Sequence, residues 1–328
     1  MLPGNVSGGM DAGRSGRRNG DGADDGHGAM ARCRQVSPWM VAALTTLVMT
    51  LFAANSLLCR FALADGPSAH PLNPAIYTGL RAISAAAMLW LIQTLRGGAS
   101  LRAGSWSAAL ALFGYMAFFS WAYVRLSAGA GALVIAVAVQ VGMLVGGLRL
   151  GQRPDKAQSL GMGIAMAGLV YLLLPGLDAP PAGAATVIFC SGLCWAAYTI
   201  CGRGSRNAAA DTAGNFIRCV PLAIALLLWA IAFDNAGMPG TWPLAGVASA
   251  LAAGALASAL GYILWYAVLR WLSVPSAAVV QLSVPLITAL GGALIIDEAL
   301  GLRLLVSAVA ILGGIFCATA LPHLLRRH

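Results

Sequence analysis

Charge is scarce in this chain. Only 9% of its 328 residues are Asp, Glu, Lys or Arg, 59% are hydrophobic, and the mean hydropathy is +0.80. A soluble domain carries about 25% charged residues, so a water-soluble globular fold is excluded and an all-α integral membrane protein is expected. No Asp or Glu falls in the middle of any apolar run, and the four histidines (His27, His70, His323 and His328) all lie in tails or loops. A proton relay through lipid needs an embedded carboxylate or histidine, so none of that kind is expected. No P-loop is present, which leaves ATP-driven chemistry without a site. Six of the seven cysteines lie in or beside apolar runs: Cys59, Cys190, Cys194, Cys201, Cys219 and Cys317. There they act as small hydrophobes. Cys190 and Cys194 share a helix face but have no histidine partners, so neither a metal, a cofactor nor a disulfide framework is expected. No short apolar core with a cleavage site precedes the first long run, which starts near Trp39 and is expected to be retained.

What is there is a series of apolar runs. Residues 1–37 are rich in Gly, Asp and Arg and cannot bury enough surface to fold, so they form a disordered tail. Ten runs follow, near 38–60, 75–95, 106–124, 130–149, 157–174, 184–202, 214–233, 244–266, 276–296 and 303–321. The net charge of +9 sits in the short loops between them and not on one face, which argues against a nucleic-acid partner. With the N-terminus in the cytoplasm, the inner side holds Arg14, Arg17, Arg18, Arg32, Arg34, Arg96, Arg102, Arg149, Arg153, Lys156, Arg203, Arg206, Arg270, Arg326 and Arg327, fifteen of the twenty basic residues. The outer side holds Arg60, Arg125 and Arg303 together with Asp65, Asp178, Asp234, Asp297 and Glu298. This asymmetry fixes the orientation, and an even number of spans returns the C-terminus to the cytoplasm.

The chain contains itself twice. Shifted by 146 residues, Leu126-Ser127 falls on Leu272-Ser273, Gly146 on Gly292, Leu148 on Leu294 and Gln152 on Glu298. The identities are few. The shared order carries more weight: short turn, apolar run, glycine pair, polar break, apolar run. Five spans per copy is an odd number, so the second copy enters the membrane from the opposite side. Ten transmembrane helices in two inverted five-helix repeats are therefore expected, the symmetry of alternating-access carriers with a site at the repeat interface.

Several stretches then resemble the EamA-type domain of the drug/metabolite transporter (DMT) superfamily. They are GLRLGQRPDKAQSLGMGIAMAGL at 147–169, SAAVVQLSVPLITALGGALIIDEAL at 276–300, CWAAYTICGR at 194–203 and LRAISAAAML at 80–89. The first half departs from the pattern: Gly151-Gln152 stands where the family often has Gly-Glu, and Val139-Gln140 where it often has proline. The resemblance implies one repeat over 38–175, a second over 184–322 and a short basic cytoplasmic tail at 323–328. It implies a cavity lined by spans 1, 3, 4, 6, 8 and 9, with spans 5 and 10 peripheral. It also implies a multi-pass protein of a bacterial inner membrane that moves amino acids, other small metabolites or drugs, often outward. A homodimer is left open. A membrane scaffold or membrane-embedded enzyme is the competing reading, but no cluster of catalytic residue types lies at membrane depth.

The candidate site residues follow from polarity at depth. Pro285 removes the helical donor to the Gln281 carbonyl and, with the Gln281 side chain, makes a polar defect in the ninth run. Gln140 and Asn55 are buried polar residues that either bind solute or bridge helices. Tyr198 and Tyr262 lie deep and need hydroxyl partners. Trp121, like Trp195, Trp265 and Tyr266, either lines the passage or joins an interfacial belt. Arg81 and Arg218 are charges within runs, functional by default but close enough to run ends to snorkel to the headgroups or to form a structural pair. Gly142 and Gly146 are read as close helix packing.

Overall fold

The computed structural model describes residues 37–64, 71–97, 103–149, 156–174, 179–202, 207–234, 237–269, 271, 280–281 and 283–319. The two terminal tails and the 150–155 loop, on which some of the topology expectations fall, lie outside the described residues.

Among the described residues all regular structure is helical. The elements are α1 (Pro38–Leu63), α2 (Pro74–Leu95), α3 (Trp106–Tyr123), α4 (Ala128–Arg149), α5 (Lys156–Leu173), α6 (Ala182–Cys201), α7 (Ala208–Phe233), α8, α9 (Ser283–Ile295) and α10 (Leu302–Thr319). Helix α8 is continuous but compound: an α segment Leu244–Ala252, a π-helical segment Ala253–Leu260, and an α segment Gly261–Leu269. Six helices (α1, α2, α4, α6, α7 and α8) are long and apolar enough to cross a membrane, and parts of α5, α9 and α10 are shorter apolar helices. The protein is a multi-pass membrane protein, and each sequence run has a helix within it.

Helix starts follow local chemistry. Asn73 accepts the Ala75 N–H at 2.8 Å, with Pro74 in the first turn of α2. Ser105 accepts from Ala108 before α3, and Asn207 from Ala210 before α7. Many interior positions hold small residues. Ala53, Ala75, Ala82, Ala85, Ala109, Ala122, Ala128 and Ala138 have no exposed surface, while Leu244, Leu294, Phe233 and Val309 point outward. Large apolar side chains outside and alanine inside suit lipid, where close backbone approach binds helices together.

The most extensive helix pairings are α5 with α10, α3 with α6, α2 with α7 and with the compound α8, and α4 with α6. The glycines show how tight they are. A Cβ at Gly142 would sit 2.5 Å from the Ala196 methyl, one at Gly146 2.3 Å from Ile200, and one at Gly192 2.5 Å from Ala138. The Gly142/Gly146 pair is thus the α4–α6 contact, in accord with its reading as packing.

One end of the bundle is fixed by charge. Arg60, near the end of α1, is paired through Nε with Glu298 Oε1 at 2.8 Å and donates to the Tyr123 and Val124 carbonyls, both at 3.0 Å. Glu298 Oε2 accepts the Ala128 N–H at 2.7 Å, capping α4. Glu298 is placed there by Asp297, whose φ of 60° is left-handed; the turn also brings the Glu298 N–H to the Gly292 carbonyl at 3.1 Å. Helix α4 then runs 22 residues away from Glu298, roughly 33 Å at 1.5 Å per residue. Arg149 therefore lies at the opposite end of the bundle.

Candidate functional site

Polar groups gather in the interior where α2, α3 and α8 meet. Arg81 of α2 is the largest of the fully buried side chains. Its Nε donates to Ser258 Oγ in the π-helical segment at 3.3 Å. Its Cζ lies 5.5 Å from the ring centre of Tyr115 and 5.3 Å from that of Phe119, both on α3. Both terminal nitrogens are buried with no hydrogen-bond partner. Among the described residues the one ion pair is Arg60–Glu298, so no carboxylate neutralises Arg81.

Two features of α8 place it there. The π-helical segment turns Ser258 toward α2, and Gly254 lets the main chains touch, since a Cβ there would lie 2.2 Å from the Arg81 carbonyl oxygen. Single π turns inside α-helices often mark functional sites.

Aromatic rings continue from Arg81 across the bundle. Tyr115 packs at a tilt, 4.9 Å between ring centres, against Trp195 of α6, which lies 5.6 Å from Tyr198 and 5.2 Å from Tyr262. Tyr262 meets Phe216 of α7 at 5.9 Å and Phe52 of α1 at 5.8 Å. Rings from α1, α3, α6, α7 and α8 thus form one patch. Further polar atoms surround it. Asn55 Nδ2 donates to the Tyr115 hydroxyl at 3.5 Å, while Asn55 Oδ1 is buried without a partner.

The structure brings together four of the sequence candidates, Arg81, Asn55, Tyr198 and Tyr262, in or beside this patch. Arg81 requires a correction. It does not snorkel: with no exposed surface it cannot reach headgroups. Its position along the run suggested an end, but depth is set by the neighbours α3 and α8. Arg218 sits elsewhere, its guanidinium donating to the carbonyls of Ala103 and Gly214. There it helps hold the start of α3 to α7, together with the Asp211 carboxylate on the Gly104 N–H at 2.9 Å and the Asn215 amide oxygen on the Ser105 N–H at 2.8 Å. Trp121 is 37% exposed and faces outward. Gln140 is half-buried and Gln281 exposed. Pro285 is buried on α9, and residues 280 and 281 ahead of it are helical as well. The defect expected at the Gln281 carbonyl adjoins residue 282, which is outside the described residues. Sequence reasoning passed over Tyr77, Tyr115, Phe119 and Ser258. Helix α3 is apolar all round, so periodicity gives it no facing signal.

In comparison with known proteins, residues 183–320 match the EamA-like transporter family. Over 274 residues the chain is 47% identical to an uncharacterized protein of Pseudomonas aeruginosa, covering 83% of this chain and 92% of that one. Over 174 residues it is 29% identical to a protein of Streptantibioticus cattleyicolor named "Probable terminal-alkyne amino-acid exporter", covering 52% of this chain and 57% of that one. A solved crystal structure superposes with a TM-score of 0.60 at 20% identity, over 88% of this chain and 99% of the other, a likeness of fold.

Proposed function

The chain belongs to the EamA-like transporter family of the drug/metabolite transporter superfamily, and from that premise we propose that it is a secondary carrier exporting small organic solutes, amino acids or related metabolites among them, across a bacterial inner membrane. The observation that carries this reading is the interior patch around Arg81 and Asn55, where both terminal guanidinium nitrogens and the Asn55 Oδ1 are buried yet unpartnered. A scaffold gains nothing from such groups, since each costs about 1–3 kcal/mol or more when left unsatisfied. A solute that visits the patch would satisfy them in turn.

Alternating access between two inverted five-helix halves is the proposed mechanism. Exchanging the halves would map the α3–α6 pairing onto α1–α8, a reading supported by the contacts of Phe52 with Tyr262 and Trp265. It maps α4–α6 onto α1–α9, where a Cβ at Gly291 would lie 2.5 Å from Leu57. The α2–α7 and α5–α10 pairings map onto themselves. Arg81 is reachable from neither end, so loading it requires the halves to part. The Arg60–Glu298 end and the Gly142/Gly146 end would open alternately. The cycle would be facilitated, exchange-type, or coupled without a buried acid. A pH gradient alone is accordingly expected to drive no uptake into proteoliposomes, and gradient-driven uptake would overturn that part.

Function is tested by measuring metabolites in cells lacking or overproducing the protein. Overproduction should lower the internal level of at least one small organic solute, and deletion should raise it. No difference in either strain would sink the carrier reading. Topology is tested with cysteines. Cys201 is exposed at the end of α6, beside the Arg149 end of α4, while Cys59 and Cys219 are buried. With Cys33 of the tail replaced by serine, an impermeant maleimide should label Cys201 in everted membrane vesicles and not in right-side-out ones. Labelling only from the outside would reverse the proposed orientation of both termini.

A further inference from the structure

A cation fixed in the middle of a bundle, with no carboxylate among the described residues to neutralise it, is the feature least accounted for by folding. Arginine cannot shed its proton, as a buried lysine can, so Arg81 stays charged. Of its donors only Nε is engaged, and by a neutral hydroxyl. The faces of Tyr115 and Phe119 offset part of the charge but use none of the terminal N–H groups. Those groups form a fork that matches the two oxygens of a carboxylate. No Asp or Glu among the described residues supplies one.

We infer that Arg81 is the anion-binding post of the solute site, and that the solutes carried have a carboxylate attached to an apolar body. The inference rests on the carrier reading above and names its substrate class. The carboxylate would take the free side of the guanidinium. The apolar body would lie along the rings of Tyr115, Trp195 and Tyr262, which already contact one another at 4.9 and 5.2 Å. The free Oδ1 of Asn55 leaves one acceptor for an N–H or O–H on the solute. A zwitterion fits through its carboxylate. A plain organic cation does not: Arg81 repels it, and no acidic side chain receives it.

The test uses the full chain in detergent and in proteoliposomes. Thermal stabilisation and intrinsic tryptophan fluorescence would be followed with hexanoate, phenylacetate and phenylalanine, with their counterparts hexylamine and benzylamine, and with sulfate. At least one carboxylate should bind saturably while the amines and sulfate do not. Arg81→Gln should weaken that binding roughly 10- to 100-fold, as loss of charge-assisted hydrogen bonds does. Arg81→Lys should fall between, since it keeps the charge and loses the fork. Should Arg81→Gln fail to fold, the wild-type panel decides alone. Amine binding that matches the carboxylates, no binding by any carboxylate, or equal binding by sulfate overturns the inference. Unchanged carboxylate affinity in a folded Arg81→Gln overturns it as well. Vesicles separate this outcome from failure of the carrier reading. Arg81-dependent carboxylate binding without exchange across the bilayer ends that reading and leaves the inference standing. Exchange of amines or sugars with carboxylates ignored does the reverse.

Discussion

Replacing Gly254 by valine should cost the fold about 3 kcal/mol or more, among the largest effects of any single methyl-scale change in this chain. The Cβ would arrive 2.0 Å from Ser84 Oγ, 2.2 Å from the Arg81 carbonyl oxygen and 3.0 Å from the Ala85 nitrogen. The serine hydroxyl can rotate away. The carbonyl and the nitrogen belong to the main chain of α2 and cannot, so α2 and α8 must separate. Two effects oppose each other in the milder Gly254→Ala. Alanine gains about 1 kcal/mol of helix propensity, while overpacking typically costs about 1–3 kcal/mol. With a main-chain atom at 2.2 Å the second effect wins, and Gly254→Ala should also destabilise. Gly163→Ala is the control. It lies within α5 with no described atom within 4 Å of the added methyl, so only the propensity gain remains. Thermal unfolding in detergent at one scan rate, followed by tryptophan fluorescence, should rank Gly163→Ala at or above the parent, then Gly254→Ala, then Gly254→Val. A Gly254→Val protein as stable as Gly163→Ala would mean that the α2–α8 contact is not made.

Much of the architecture was legible because lipid imposes a simple code. A helix must satisfy its own backbone, so run lengths in the sequence translate directly into α1, α2, α4, α6, α7 and α8. The site was harder to read, for reasons that differ by residue. Arg81 stood out as a charge within a run, but its burial depends on α3 and α8 covering it, and no local pattern encodes that. Tyr115 and Phe119 lie on a helix apolar on every face, where nothing in the sequence separates the inward rings from outward Phe118 and Trp121. The π-helical turn falls in AGALASAL, a stretch of small residues that an ordinary α-helix accommodates equally well. Gln281 and Pro285 attracted notice for the opposite reason. They are conspicuous in sequence, yet Gln281 is exposed. Chemistry legible from the sequence marked where polarity occurs; which polar groups meet was decided by packing between helices far apart in the chain.

The Arg60–Glu298 pair shows that distance most plainly, joining residues 238 positions apart, and it carries the second large effect. Glu298 is the chain's only glutamate, and it performs two tasks at once. One oxygen holds Arg60 and the other caps the first turn of α4 at Ala128. An exposed ion pair contributes about 0–1 kcal/mol, but here the side chains are only 19% and 14% exposed. Arg60 also binds the carbonyls that end α3, so it stays in place when its partner is removed and keeps an unmatched charge. Loss of a cap costs about 1 kcal/mol, and loss of a charge-assisted bond about 1.5–3 kcal/mol. Glu298→Ala should therefore destabilise by about 2.5–4 kcal/mol, the sum of those two losses. Glu298→Gln should fall between, because its amide oxygen can still accept from Ala128 while the charge is gone. Arg60→Ala combined with Glu298→Ala should cost less than the sum of the two single changes, with a coupling of about 1–2 kcal/mol. Additive losses would show that the pair contributes nothing beyond two separate anchors. Full coupling would make this end a single latch, one that any opening of the bundle on that side must break.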